Sequence, residues 1–207
     1  MFSGGRDSTI AAARLSESFD RVLLITVLSP HLIGIEKVRL RIEQLRKLLP
    51  KGSEWLQIIQ PEFPIAKPFI YATCLPCQHV YVSTGALIAL RHQIPHLAMG
   101  YSGYQSSWPE QTPYATAGLT RILRDRGIQL HLPVYDLREK EDAFLELARL
   151  GLGPESLEQK CLQQSSNIEL RGERLKAETD RWLAAISETI DSRGSFPLNF
   201  RQCEKIT

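Results

Sequence analysis

Ser3, Asp7, Ser8 and Thr9 stand close together in the stretch Ser3-Gly4-Gly5-Arg6-Asp7-Ser8-Thr9. Hydroxyls and a carboxylate set around two glycines can build a cradle for an anion. Gly4 and Gly5 permit backbone angles closed to other residues and let main-chain amides approach a ligand. A helix starting near Asp7 would aim its positive end at the same point. No Gly-Lys-Ser/Thr follows, so this is not the Walker loop of common ATPases. A cradle of this shape suits a pyrophosphate group.

Cysteine supplies the second chemistry. The chain has four, and two form Cys74-x-x-Cys77. In a reducing compartment such a pair marks a metal or redox site more often than a disulfide. Cys74, Cys77, Cys161 and Cys203 together would give zinc a tetrahedral all-thiolate set; buried thiols at helical spacing are the plainer alternative. His79 could replace Cys203, whereas His31, His92, His96 and His131 have no partner motif. Tyr101, Tyr104 and Trp108 could stack a flat heterocycle or pack their own loop.

These residues need elements to position them. Ser8 to Leu15 reads as an alanine-rich helix, and "RVLLITVL" as a strand buried on both faces. A helix follows with Ile35, Val38, Ile42, Leu45 and Leu49 on one side, stopping at Pro50. "WLQIIQP" is a second strand, and "PEFPIAKP" is too rich in proline for either element. A helix from Cys77 to about Gln93, a short strand "PHLAMG", a helix from about Tyr114 to Arg126, a strand "IQLHLPV" and a helix from about Glu139 to Leu150 continue the alternation. After the linker "QQSSN" comes a helix from about Glu169 to Ile190, then a tail docking through Phe196 and Phe200. The pattern predicts an α/β fold, a doubly wound parallel sheet with helices on both faces. Residues 1–162 would form the nucleotide-binding domain, with 163–207 packed on it. In such sheets ligands bind beyond the carboxyl ends of the strands, where the first loop, Thr26-Val27 and the loop after Gly100 converge.

Bulk properties narrow the function classes. With 207 residues, 43% hydrophobic and 23% charged, the chain can bury a full core. The net charge of +2 gives no support to a nucleic-acid partner. No apolar run approaches the roughly 20 residues that span a bilayer, so the expected address is the cytoplasm, with no membrane partner.

"FSGGRDST" resembles the signature of the PP-loop ATP pyrophosphatase superfamily, whose fold is that of the adenine nucleotide alpha hydrolases. Those enzymes cleave ATP to AMP and pyrophosphate, activating a substrate oxygen as an adenylate. The resemblance implies that Ser3, Gly4, Gly5, Arg6, Asp7, Ser8 and Thr9 hold pyrophosphate, with Mg2+ shared between it and Asp7. It implies that Thr26, Val27 and Gly100 meet the nucleotide. In that family an apolar strand precedes the loop at the centre of the sheet, whereas here only Met1 and Phe2 do. The expectation is that Met1 is internal to a chain extending upstream; without that strand its neighbours would carry unpaired backbone groups and the protein should fold poorly.

Two branches compete. "GYSGYQSSWPEQTP" is similar to the Ser-Gly-Tyr loop of 7-cyano-7-deazaguanine synthases, which make a nitrile from a deazaguanine carboxylate with ATP and ammonia. That implies substrate contacts from Tyr101, Ser102, Tyr104 and Trp108, a phosphate-facing Arg138 or Lys140, and zinc at Cys161, although the tight cysteine group that follows in that family is replaced here by "QQSSN" and a distant Cys203. "ATCLPCQHV" is placed like the Cys-x-x-Cys of tRNA 2-thiocytidine synthetases, where three cysteines hold a [4Fe–4S] cluster. Relatives are often dimers. A nucleotide-binding module with little turnover is the non-enzymatic alternative.

Overall fold

The computed structural model describes residues 1–63, 73–163, 168–192 and 197–207. The proline-rich stretch from 64, the linker at 164–167 and Phe196 lie outside them. Among the described residues, helices α1 (Arg6–Ser16), α2 (Ile35–Leu45), α3 (Leu75–Arg91), α4 (Pro113–Arg124), α5 (Lys140–Arg149) and α6 (Gly172–Asp191) alternate with strands β1 (Leu23–Leu28), β2 (Leu32–Ile33), β3 (Glu54–Ile59), β4 (His96–Ala98), β5 (Gln129–His131), β6 (Lys160–Cys161) and β7 (Phe200–Lys205). The fold is mixed α/β. No helix among these residues is long and apolar enough to cross a membrane.

β1 and β3 pair in parallel, Leu24 opposite Trp55 and Thr26 opposite Gln57. Side chains alternate faces along a strand, and the core divides accordingly. Leu24 and Trp55 pack with Val38, Ile42 and Leu45 of α2. Ile25, Leu56 and Ile58 pack with Val80, Leu87 and Ile88 of α3. Helices therefore cover both faces of this ladder, which explains its near-continuous apolar sequence. Behind α3, Trp182 and Ile186 of α6 and Leu119 of α4 fill the largest cluster. His79 is buried there, its Nε2 2.9 Å from Thr189 Oγ1.

Three expectations change. The tail is a strand, β7, antiparallel to β3. It docks through Leu198 and Ile206, both buried, while Phe200 is exposed; Phe200 follows the alternation of an edge strand and points away from the core. α2 ends at Leu45 rather than Pro50, and a turn onto the Leu45 carbonyl carries Leu49 back into the core. The strands also form three separate ladders: β1-β3-β7, β4-β5 and β2-β6.

The division between the first two ladders has a visible cause. Phe2 N–H donates to Ile25 O at 2.7 Å, and the Met1 nitrogen donates to Ala98 O at 2.7 Å. Met1 and Phe2 thus bridge β1 and β4 at one end. Beyond them lies a cavity of about 180 Å³, walled by Leu23 to Ile25, by His96 to Ala98, by Ala11, Ala12 and Leu15 of α1, and by Gly85, Ile88 and Ala89 of α3. Two strand edges and two apolar helix faces are the four sides a buried strand requires. An apolar segment of five β-branched residues added before Met1 should raise the melting temperature by several degrees, since each kcal/mol gained is worth about 2–4 °C at this chain length. Thermal melts against an Asp/Lys-rich extension of equal length check this; equal melting points would show that the slot takes no strand.

Candidate functional site

Gly4 takes a φ of 81°, in the left-handed region that favours glycine. A Cβ there would lie 2.6 Å from the Leu157 carbonyl oxygen, and one at Gly5 would lie 2.7 Å from Glu158 Oε2. Gly4 is needed for the turn to pack beneath the Leu157 backbone, whereas at Gly5 only the end of the exposed Glu158 side chain would have to move. Leu157 N–H donates to Gly4 O at 3.2 Å. Ser3 Oγ lies 3.1 Å from Ser8 Oγ and accepts from Gly5 N–H at 3.1 Å. Thr9 Oγ1 donates to Gly5 O at 2.7 Å. Thr9 therefore fastens the turn to α1 and is fully buried, whereas Ser3, Gly5, Arg6, Asp7 and Ser8 line an open cleft of about 870 Å³.

Thr26 and Val27 reach this cleft at the carboxyl end of β1, as the sequence placed them. Their polar groups are already engaged. Thr26 Oγ1 donates to Phe2 O at 2.7 Å, and Val27 O accepts from Gln159 Nε2 at 3.2 Å. Gly100 lines the cleft too, pressed against the start of α1: its Cβ would meet Ser8 N at 2.8 Å and Ser8 Cα at 2.9 Å.

Asp7 is gripped from the segment 102–105. The Tyr104 hydroxyl donates to Oδ1 at 2.5 Å. Ser102 Oγ and Gln105 Nε2 each donate to Oδ2 at 3.4 Å. Gln111 fixes the direction of Gln105 by donating to its Oε1 at 2.8 Å while accepting from Ser102 N–H at 2.9 Å. The turn Gly103–Gln105 requires its glycine: a Cβ on Gly103 would lie 2.7 Å from the carbonyl oxygens of both Tyr135 and Leu137. Burial raises the Asp7 carboxyl, against the Tyr104 hydrogen bond, the Arg6 charge and the Ser102 hydroxyl, which lower it; Glu158 adds repulsion.

The aromatic assignments divide. Trp108 lines the cleft. Tyr101 also lines it but is buried, its hydroxyl donating to Gln78 Oε1 at 2.9 Å. Tyr104 does not line the cleft, and its hydroxyl donates to Asp7. Lys140 opens α5 and lies over the Phe144 ring, 5.7 Å from its centre, outside the cleft lining; Arg6 lies over the same ring at 5.2 Å.

Three cysteines line the same cleft. Cys74 and Cys77 sit at the start of α3, and β6 brings Cys161 opposite Leu32 of β2. All three line the cleft with His31, whose Nε2 is 3.5 Å from Cys77 Sγ. Burial, then Cys161 and Glu110, push the Cys77 thiol up to about 11, so it is a neutral thiol at pH 7. Cys203 is elsewhere: it stands exposed on β7, influenced by Glu54 and Arg21. Among the described residues, no three His, Cys, Asp or Glu side chains stand close enough to hold a metal ion as they are.

Sequence reasoning missed His31, Gln105, Glu110, Gln111 and Glu158. His31 could have been found, because it follows the carboxyl end of β1, where sites of this fold class gather. Glu110 is buried in the cleft wall, its Oε2 without a hydrogen-bond partner among the described residues, and burial pushes its carboxyl up to about 7. No known protein-family model matches the chain, and no curated protein matches its sequence.

Gly100→Ala should test the packing of the cradle. The new methyl meets backbone atoms, which cannot rotate away, so the loss of stability should be about 1–3 kcal/mol. Urea denaturation checks the size. Unchanged stability would mean that the contact gives easily.

Proposed function

We propose that this protein adenylates an acceptor carboxylate or amide oxygen with ATP and releases pyrophosphate, on a doubly wound sheet of the PP-loop type. The observation that carries the reading is the convergence of the Gly4-Gly5 turn, the Ser3 and Ser8 hydroxyls and the start of α1 on one cleft at the carboxyl end of β1. The acceptor oxygen attacks the α-phosphorus, the bond from that phosphorus to the α,β-bridging oxygen breaks, and pyrophosphate leaves with the new negative charge. Preorganised amides, hydroxyls and a helix end stabilise that charge most in the transition state. Asp7, with Glu158 nearby, would hold Mg2+, which supplies charge neutralisation when bound.

The acceptor side would be Tyr101, Trp108, Gln78 and Glu110, where a flat deazaguanine-like carboxylate can lie against an aromatic wall, with ammonia displacing AMP. Lys140, lying outside the cleft, has no part in this scheme. The test is pyrophosphate release from ATP-Mg2+ with 7-carboxy-7-deazaguanine and ammonium. Acceptor-dependent release should occur and fall 100-fold or more in Asp7→Asn. ATP binding without release would favour a nucleotide-binding module, and neither would sink the reading.

A second reading rests on Cys74, Cys77 and Cys161 sharing the cleft with the phosphate loop, as a thiolating enzyme on tRNA would need. The separation of Cys203 counts against the four-cysteine zinc site. Anaerobically purified protein should then contain iron and acid-labile sulfide, lost in Cys77→Ser. Protein free of both iron and sulfide would remove this reading.

A further inference from the structure

We infer that Arg41 is a positioning residue for the cleft: its buried guanidinium holds the segment 155–161, part of the cleft wall, against the Gly4-Gly5 turn. The inference needs only the geometry of the cleft and not the nucleotide reading above.

This stretch of wall has no apolar anchor. Ser156, Glu158, Gln159, Lys160 and Cys161 line the cleft, yet no residue from 153 to 163 is buried. The segment hangs on hydrogen bonds instead. Leu157 N–H donates to Gly4 O at 3.2 Å, and Leu162 N–H to His31 O at 2.9 Å. Gln159 Nε2 donates to Val27 O at 3.2 Å, and Arg6 Nη1 to Pro154 O at 3.4 Å. Segments with few buried apolar contacts open at low free energy. Where this wall stands therefore depends on its polar tethers.

Arg41 supplies the tether that comes from the core. It lies fully buried on α2, where Nη2 donates to Glu155 O at 2.5 Å and Nη1 to Gln44 Oε1 at 2.8 Å. The bond to Glu155 is the shortest of the five, and a charged donor makes it stronger than a neutral one. The turn is close by. One helical turn before Arg41, Val38 Cα would lie 3.2 Å from a Cβ on Gly4, the same glycine that meets Leu157 O at 2.6 Å. α2, the turn and the wall thus meet at Gly4, and Arg41 fastens the first of them to the third.

For core stability alone the guanidinium is a poor choice. Among the described residues no carboxylate forms an ion pair with it, Glu155 acts on it only at longer range, and its Nε has no hydrogen-bond partner. Burying a charge without a counterion is costly. An apolar side chain of similar volume is often neutral or stabilising in place of buried charge. What an apolar chain cannot do is hold the Glu155 carbonyl.

Amide hydrogen exchange by nuclear magnetic resonance reads the wall, and thermal melts read the core. In Arg41→Met, exchange at the Leu157 amide should rise about tenfold or more. Amides of β1 and β3 should change by less than about threefold, and the melting temperature should stay or rise. Arg41→Lys, with a shorter reach but the same charge, should fall between wild type and Arg41→Met. Unchanged exchange at Leu157 in Arg41→Met overturns the inference. A rise shared equally by β1 and β3, with a lower melting temperature, also overturns it, because Arg41 would then serve the core and not the wall. If Arg41→Met does not fold, Arg41→Lys is judged by the same criteria; if neither folds, the inference falls. None of these readings involves a nucleotide, so the proposed activity stands or falls separately.

Discussion

A single buried hydroxyl ties the Gly4-Gly5 turn to the sheet. Thr26 Oγ1 donates to the Phe2 carbonyl at 2.7 Å and accepts from Trp55 Nε1 at 2.9 Å. Trp55 is itself buried on β3, opposite Leu24. The position of the turn at Gly4-Gly5 is therefore set by the register of β1 on β3, one residue removed. Phe2 N–H completes the tie through Ile25 O. A buried donor or acceptor left without its partner costs about 1–3 kcal/mol. Three such groups meet at Phe2 and Thr26, so the cradle cannot drift from the strand end without losing several of them at once.

Close approach of backbones then does what side chains cannot. Gly4 lies against the Leu157 carbonyl, Gly100 against the amide of Ser8, and Gly103 between the carbonyls of Tyr135 and Leu137. Each glycine brings one chain segment within contact of another, and together they draw the segment before β6 and the loops after β4 and β5 around Asp7. The carboxylate is reached by donors 95–98 residues away in sequence. None of these contacts requires the three ladders to join into one sheet. The cleft depends on the strand ends, and those ends are fixed by Phe2, Gly100 and Val134.

The legible part of the sequence was the part with period and punctuation. "RVLLITVL" and "WLQIIQP" are strands because both faces are covered, and α2 shows its Val38, Ile42 and Leu45 side plainly. The Ser-Gly-Gly-Arg-Asp-Ser-Thr turn was readable because its residue types leave few other uses. What could not be read depended on distant pairing. β7 contains Arg201, Gln202, Glu204 and Lys205 and pairs along a sheet edge, where burial writes no apolar pattern. Nothing local reveals that the Tyr104 hydroxyl meets Asp7. Cys203 was grouped with the other thiols by residue type alone, and the β3-β7 register carries it away from them.

Burial acts on both walls of the cleft in the same direction. It raises the Asp7 carboxyl on one side, and on the other it raises the Cys77 thiol to about 11 and the Glu110 carboxyl to about 7. Each shift disfavours negative charge in a poorly hydrated space. Tyr104, Arg6 and Ser102 offset part of this at Asp7, where the donors are close. At Cys77 the neighbouring Cys161 and Glu110 add to it, and only a Tyr81 hydrogen bond opposes them. The two walls therefore differ in readiness. The Asp7 side already carries donors that favour an anion, whereas the thiol side favours neutral sulfur until a cation arrives to reverse the balance. The donors among these groups are concentrated on Asp7, beside the Gly4-Gly5 turn.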